Sequence, residues 1–121
     1  MNSSISFEKN EDYLQFTYSG KYDFDELMSY LKMIENKCTE ENIHKALLDL
    51  LQMEGAMTND MERFYLGEEL STLFGYKIKF AYVSQVQYTT RFGETVAINR
   101  GANSRVFNDL ESARKWLLNL E

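Results

Sequence analysis

The spacing of apolar residues changes along the chain, and each spacing predicts a different element. Apolar and polar residues alternate from Ile5 to Lys9 and from Tyr13 to Tyr18. This alternation predicts a hairpin whose two strands have one solvent-facing side. The segment 46–51 is apolar except for Asp49. A short apolar run between polar segments is typical of a strand buried on both faces, as in parallel sheets covered by helices.

Two segments in the first two thirds of the chain have a helical repeat. Asp23 and Glu26 have the spacing of a capping box, and an apolar stripe follows that reaches Cys38, so we predict a helix that ends near Lys37. A second helix is predicted to begin after the cap Asn59 and to stop at Gly75, a residue type that tolerates positive φ.

The C-terminal third is predicted to contain two further strands and two further helices. The strands are residues 76–83 and 105–107, which are rich in β-branched and aromatic side chains. Between the two strands, residues 87–100 show a weak helical repeat, which predicts the first of the two helices. Asn108 has the spacing of an N-cap for a last helix whose apolar stripe includes Trp116 and Leu120, and Trp116 is expected in the core.

The resulting order, ββαβαβαβα, predicts one α/β domain over residues 1–121 with a mixed, mostly parallel sheet and helices packed around it. Alternating strands and helices call for parallel pairing with right-handed crossovers. The first strand is expected to be antiparallel and at or near an edge of the sheet.

Composition limits the classes of partner. The 121 residues carry a formal net charge of −6, which disfavours nucleic acid because phosphate binding needs clustered Lys and Arg. No window approaches the length of a transmembrane segment, and the N-terminus lacks the pattern of a signal peptide. With a single cysteine and no disulfide, the expectation is a cytoplasmic protein.

Three pieces of the sequence resemble the sporulation anti-anti-sigma-like, or SpoIIAA-like, group of STAS-related domains. They are the central apolar run with its acidic loop (46–49 to 54–55), the segment 97–103 followed by 105–107, and the closing 109–113 with Trp116 and Leu117. The resemblance implies a mixed sheet surrounded by helices. It also implies a protein partner whose binding is switched by phosphorylation of a Ser or Thr at the start of a helix, which here corresponds to Thr58. Lipid-transfer (Sec14-like) domains are often grouped beside this family, so the resemblance also allows an apolar ligand.

Candidate site residues follow from the predicted sheet, because ligands of such sheets usually sit beyond the carboxyl ends of the strands. The candidates for regulation or ligand binding are Asp49, Thr58, Asn59, Ser84, Tyr88 and Arg91. Three of them have a structural alternative: Asp49 as an acceptor for the following turn, Thr58 as an ordinary cap or loop threonine, and Arg91 as a partner of nearby acidic residues.

The sequence shows no catalytic constellation, and no cofactor or metal is expected. His44 has no second ligand at a suitable spacing, and Cys38 is better explained as an apolar helix residue than as a nucleophile. The prediction is therefore a non-enzymatic binding or regulatory domain with a protein partner. The alternative is a carrier of a small apolar ligand, with Met57, Met61, Phe64 and Tyr88 at a pocket mouth.

Overall fold

The computed structural model describes residues 2–88, 95, 98 and 101–120. Its first two strands, β1 (Ser3–Lys9) and β2 (Leu14–Lys21), form the predicted antiparallel hairpin. The pairing of β1 with β2 extends to Gly20, which lies opposite Ser3 and has a φ of +105°. A Cβ at Gly20 would lie 2.5 Å from the carbonyl oxygen of Asn2, so this close approach requires glycine.

The remaining strands are parallel to β2 and to one another. They are β3 (Lys45–Asp49), β4 (Met53–Glu54), β5 (Lys79–Val83) and β6 (Ser104–Phe107). The order in the sheet is β1-β2-β3-β5-β6, and β4 pairs with the end of β2. The antiparallel edge position of β1 agrees with the prediction, whereas β4 is too short to have been found from a sequence pattern.

Helices α1 (Phe24–Glu41) and α2 (Asp60–Leu73) lie side by side on one face of the sheet, and α3 (Leu110–Leu117) covers the other face. Each face has its own apolar core. The larger one includes Phe16 and Leu48 from the sheet with Leu31 and Leu70 from the helices. In the described part of the chain, no helix is long and apolar enough to cross a bilayer.

Two of the three predicted N-caps are confirmed. Asp23 accepts from the Glu26 N–H (2.9 Å), and Asn59 caps α2. The third prediction, Asn108, is wrong: the side chain of Asp109 accepts from the Ser112 N–H at 2.7 Å. The side chain of Asn108 instead forms a hydrogen bond with a residue outside the helix.

The amide of Asn108 donates to the carbonyl oxygen of Ser84 at 3.0 Å, so its side chain ties β6 to the end of β5. Helix α1 also continues beyond its predicted end at Lys37. It stops where Asn42 adopts a left-handed conformation with a φ of 54°.

Three apolar residues of the C-terminal half are less buried than their sequence pattern predicts. Tyr76 is 80% exposed because the chain turns after Gly75 and enters β5 only at Lys79. Trp116 is half-buried rather than fully in the core, and Leu120 is 65% exposed beyond the end of α3. The helix predicted within 87–100 lies almost entirely outside the described residues.

Candidate functional site

The candidate site lies at the carboxyl edge of the sheet, where the segment 50–59 connects β3 to α2. The Leu50 N–H donates to the Val83 carbonyl (2.8 Å), and the Gln85 amide donates to the Leu51 carbonyl (2.9 Å). These bonds fix the start of the segment against the end of β5. Two neighbouring parallel strands therefore deliver their following loops to one place, as expected for such a sheet.

Asp49 has a structural role at this edge. Its side chain is 6% exposed and accepts a hydrogen bond from the Leu51 N–H at 2.9 Å. This is the alternative that the sequence offered, a strand-end aspartate that satisfies the following turn. Asp49 is not among the residues that line the adjacent pocket.

Thr58 is exposed and immediately precedes the N-cap of α2. Asn59, the cap itself, accepts from the N–H groups of Met61 (2.7 Å) and Glu62 (3.2 Å). The cap therefore occupies two of the N–H groups that the first turn of a helix leaves free. Thr58 therefore lies beside a helix terminus that already has an internal acceptor.

Arg63 connects the segment to the first turn of α2, a role that no sequence pattern predicted. Its guanidinium donates to the Met57 carbonyl (2.8 Å) and to the Asp60 carboxylate (2.8 Å). The i, i+3 spacing from Asp60 is compatible with this ion pair, but it does not indicate the bond to the Met57 carbonyl. The positive charge of Arg63 therefore lies next to the backbone that carries Thr58.

Tyr22 connects the same turn to the loop between β2 and α1. Its hydroxyl donates to the Glu62 carboxylate at 2.9 Å, and its backbone N–H donates to the Glu54 carbonyl at 2.9 Å. Burial, together with the hydrogen bond to Glu62, raises the pKa of Tyr22 above its ordinary value. Nothing in the sequence pairs two residues that are forty positions apart.

An apolar pocket of about 70 Å³ opens beside this segment. Its lining comprises Tyr22, Leu27, Leu50, Met53, Ala56, Met57, Arg63, Leu66, Tyr82, Ser84, Tyr88 and Val106. The sheet thus brings the candidates Ser84 and Tyr88 to one cavity, whereas Thr58 and Asn59 lie outside its lining.

The pocket mouth predicted from the sequence is only partly correct. Met57 and Tyr88 line the cavity, but Met61 is 59% exposed on the outer side of α2, and Phe64 is not part of the lining. Arg91, the last candidate, lies outside the described residues.

The remaining chemical groups do not converge on this site. Cys38 is buried in the larger core, and burial raises the pKa of its thiol to about 11. His44 is exposed before β3. Among the described residues, no group of three or more His, Cys, Asp and Glu side chains is placed to hold a metal ion.

Comparison with known proteins yields matches in structure only. No protein-family model matches the sequence, and no curated protein matches it either. The structure matches an anti-sigma factor antagonist from Mycobacterium paratuberculosis with a TM-score of 0.66 and 15% identity, over 96% of this chain and 94% of that one. A second match is an uncharacterized protein with a SpoIIAA-like fold from Shewanella loihica, with a TM-score of 0.49, 22% identity, and coverage of 96% and 93%.

The chain has the SpoIIAA-like fold. The fold implied by the sequence resemblance is therefore confirmed over nearly the full length. Within the SpoIIAA-like fold, β3 and β5 end at one edge with Asp49 opposite Val83, which explains why Asp49 lies close to Ser84. The TM-score of 0.66 to the anti-sigma factor antagonist shows a shared fold, and at 15% identity the function has to be argued from the site.

Proposed function

We propose that this chain is a non-enzymatic regulatory protein that binds a protein partner through the segment 50–59 and the first turn of α2. The observation that carries the proposal is the exposed Thr58 at the start of α2, beside the guanidinium of Arg63. The match to an anti-sigma factor antagonist supports a protein as the partner.

Phosphorylation of Thr58 is the proposed switch. A phosphate would add about 1.5–2 negative charges close to Arg63, whose guanidinium is already paired with Asp60. The phosphate would compete for that cation, while Asp60 and Glu62 would oppose the added charge. The expected result is a changed surface potential at the binding surface with little change in the fold.

Carriage of a small apolar ligand is the second candidate, favoured by the apolar lining of the pocket. Its volume weighs against it: about 70 Å³ holds roughly two water molecules, whereas sites for drug-sized ligands span about 300–1,000 Å³. A lipid would therefore require α2 to move away from the sheet.

Affinity capture from the source cell tests the proposal. Wild-type protein and Thr58→Ala are expected to retain a common protein partner, and Thr58→Glu is expected to lose it. Ser6→Glu is a matched control, since Ser6 is exposed on the sheet face turned away from α1 and α2. Retention of every partner by a folded Thr58→Glu variant would refute the switch, and the absence of any specific partner would refute the proposed function.

A further inference from the structure

The net negative charge of this protein is concentrated in two helices. Helices α1 and α2 together carry nine Asp and Glu residues against three Lys and Arg, a net charge of −6. The whole chain has 19 acidic and 13 basic residues, also a net charge of −6, so the remaining residues balance at ten of each sign. The formal charge of these two helices therefore equals that of the whole chain.

An open groove of about 500 Å³ runs between these two helices. Phe24, Met28 and Tyr65 supply its apolar surface, and Glu68, Glu69 and Thr72 supply the polar part. The rings of Phe24 and Tyr65 lie 6.5 Å apart between centroids, at an interplanar angle of 55°. The groove therefore combines an aromatic and methionine surface with carboxylates.

The apolar part of the groove continues along the outer side of α2. Met61 is 59% exposed and Tyr65 is 48% exposed, and their i, i+4 spacing places them on one stripe of the helix. Only Gly67 and Leu70 of α2 are fully buried. This helix therefore presents apolar side chains to solvent beside the carboxylates of the groove.

We propose that this groove docks a basic amphipathic segment of a protein partner. The apolar side of such a segment would pack on Phe24, Met28 and Tyr65, and its Lys and Arg residues would face the carboxylates. Helix-in-groove recognition commonly uses this combination of apolar anchors and complementary charge. The inference rests on the proposed function and adds the chemistry of the partner and the surface that receives it.

The negative charge of the groove also disfavours other classes of ligand. A second copy of this chain would bring another acidic face against the first, and like charges in contact oppose association. Nucleic acid and anionic membranes carry the same sign as the groove and are disfavoured for the same reason. A cationic polypeptide is the class that gains from both the apolar and the acidic parts.

The test uses synthetic peptides and the full chain. The probe is an amphipathic helix of roughly 15 residues with leucines on one face and lysines on the other. One control replaces every lysine with glutamate, and a second keeps the composition but scrambles the order. Isotope-labelled protein reports binding by NMR chemical-shift changes, and fluorescence anisotropy reports affinity at several salt concentrations.

Of the three peptides, we expect only the basic amphipathic one to bind. Its chemical-shift changes should centre on the groove, and its affinity should fall as the salt concentration rises. Tyr65→Ala and Glu69→Lys should each weaken binding about tenfold or more. Glu11→Lys is the matched charge control. Glu11 is exposed in the β1–β2 turn, near the end of α1 that is opposite to the groove.

Three results would overturn the inference. They are equal binding of the basic and acidic peptides, shift changes centred away from the groove, and affinities of the two groove variants that match that of Glu11→Lys. Melting curves for each variant identify any loss that comes from misfolding, and Tyr65→Phe then serves as the milder groove variant. A protein partner captured equally well by wild type and the groove variants would reject the groove while leaving the proposed function intact.

Discussion

Replacing Tyr22 with Phe should measure how much the hydrogen bond between Tyr22 and Glu62 contributes to the free energy of unfolding. The Tyr22 hydroxyl donates to the Glu62 carboxylate at 2.9 Å in a partly buried position. A hydrogen bond to a charged group contributes about 1.5–3 kcal/mol. Because water can reach a partly buried carboxylate and replace part of this interaction, we expect a loss of about 1–2 kcal/mol in the free energy of unfolding.

Thermal and urea unfolding provide the assay. In a domain of this size each kcal/mol lowers the Tm by roughly 3–6 °C. Tyr76→Phe is the control, since Tyr76 is 80% exposed. The double variant Tyr22→Phe, Glu62→Gln completes a mutant cycle, and we expect its effect to be smaller than the sum of the two single effects.

The pH dependence gives a second, independent readout of the same bond. The pKa of Tyr22 is raised in the folded state from an ordinary value of 10.0, so the folded protein favours the neutral phenol. The stability that Tyr22 contributes is therefore present below pH 10.0 and declines as the pH rises above it, since the unfolded chain ionises first. The difference in the free energy of unfolding between wild type and Tyr22→Phe should therefore become smaller above pH 10.0. Equal melting of Tyr22→Phe and Tyr76→Phe at neutral pH would refute the argument.

Two further substitutions and one labelling experiment test other parts of the structure. Trp116→Ala should cost about 2–3 kcal/mol, below the range for a fully buried tryptophan, because Trp116 is half-buried against Phe107; a melt identical to wild type would contradict this packing. Asp109→Ala should lower the Tm at neutral pH. The Ser112 N–H lowers the pKa of the Asp109 carboxyl, so the wild-type advantage should shrink as the pH falls below 3.8, and a constant difference would argue against the cap. Cys38, whose burial raises its thiol pKa to about 11, should resist a disulfide reagent at pH 8 until urea unfolds the chain; immediate native labelling would show that the thiol is accessible.

The elements of this fold were largely predictable because most have a pattern of their own. The hairpin, the buried strand β3 and the caps Asp23 and Asn59 follow from periodicity and local side-chain chemistry. The boundary of α3 was not predictable in the same way. Asn108 and Asp109 are adjacent residues of similar capping strength, and the choice between them depends on the Ser84 carbonyl, which is distant in sequence.

The candidate site was less predictable than the fold because long-range contacts determine its geometry. The sequence placed Ser84 and Tyr88 near the right edge, since both follow β5. It did not indicate that Glu62 would bind Tyr22 instead of closing its own capping box, or that the pocket would be small. Such features depend on how α2 packs against α1 and the sheet, which no local pattern encodes.

Native mass spectrometry of the chain isolated from its source cell without denaturation would show whether it binds a protein partner. We predict a complex whose mass equals this chain plus a second polypeptide, and loss of that complex in Thr58→Glu. A chain that carries a small molecule of a few hundred daltons and no polypeptide would contradict it. That result would mean that α2 moves away from the sheet to open a cavity larger than about 70 Å³.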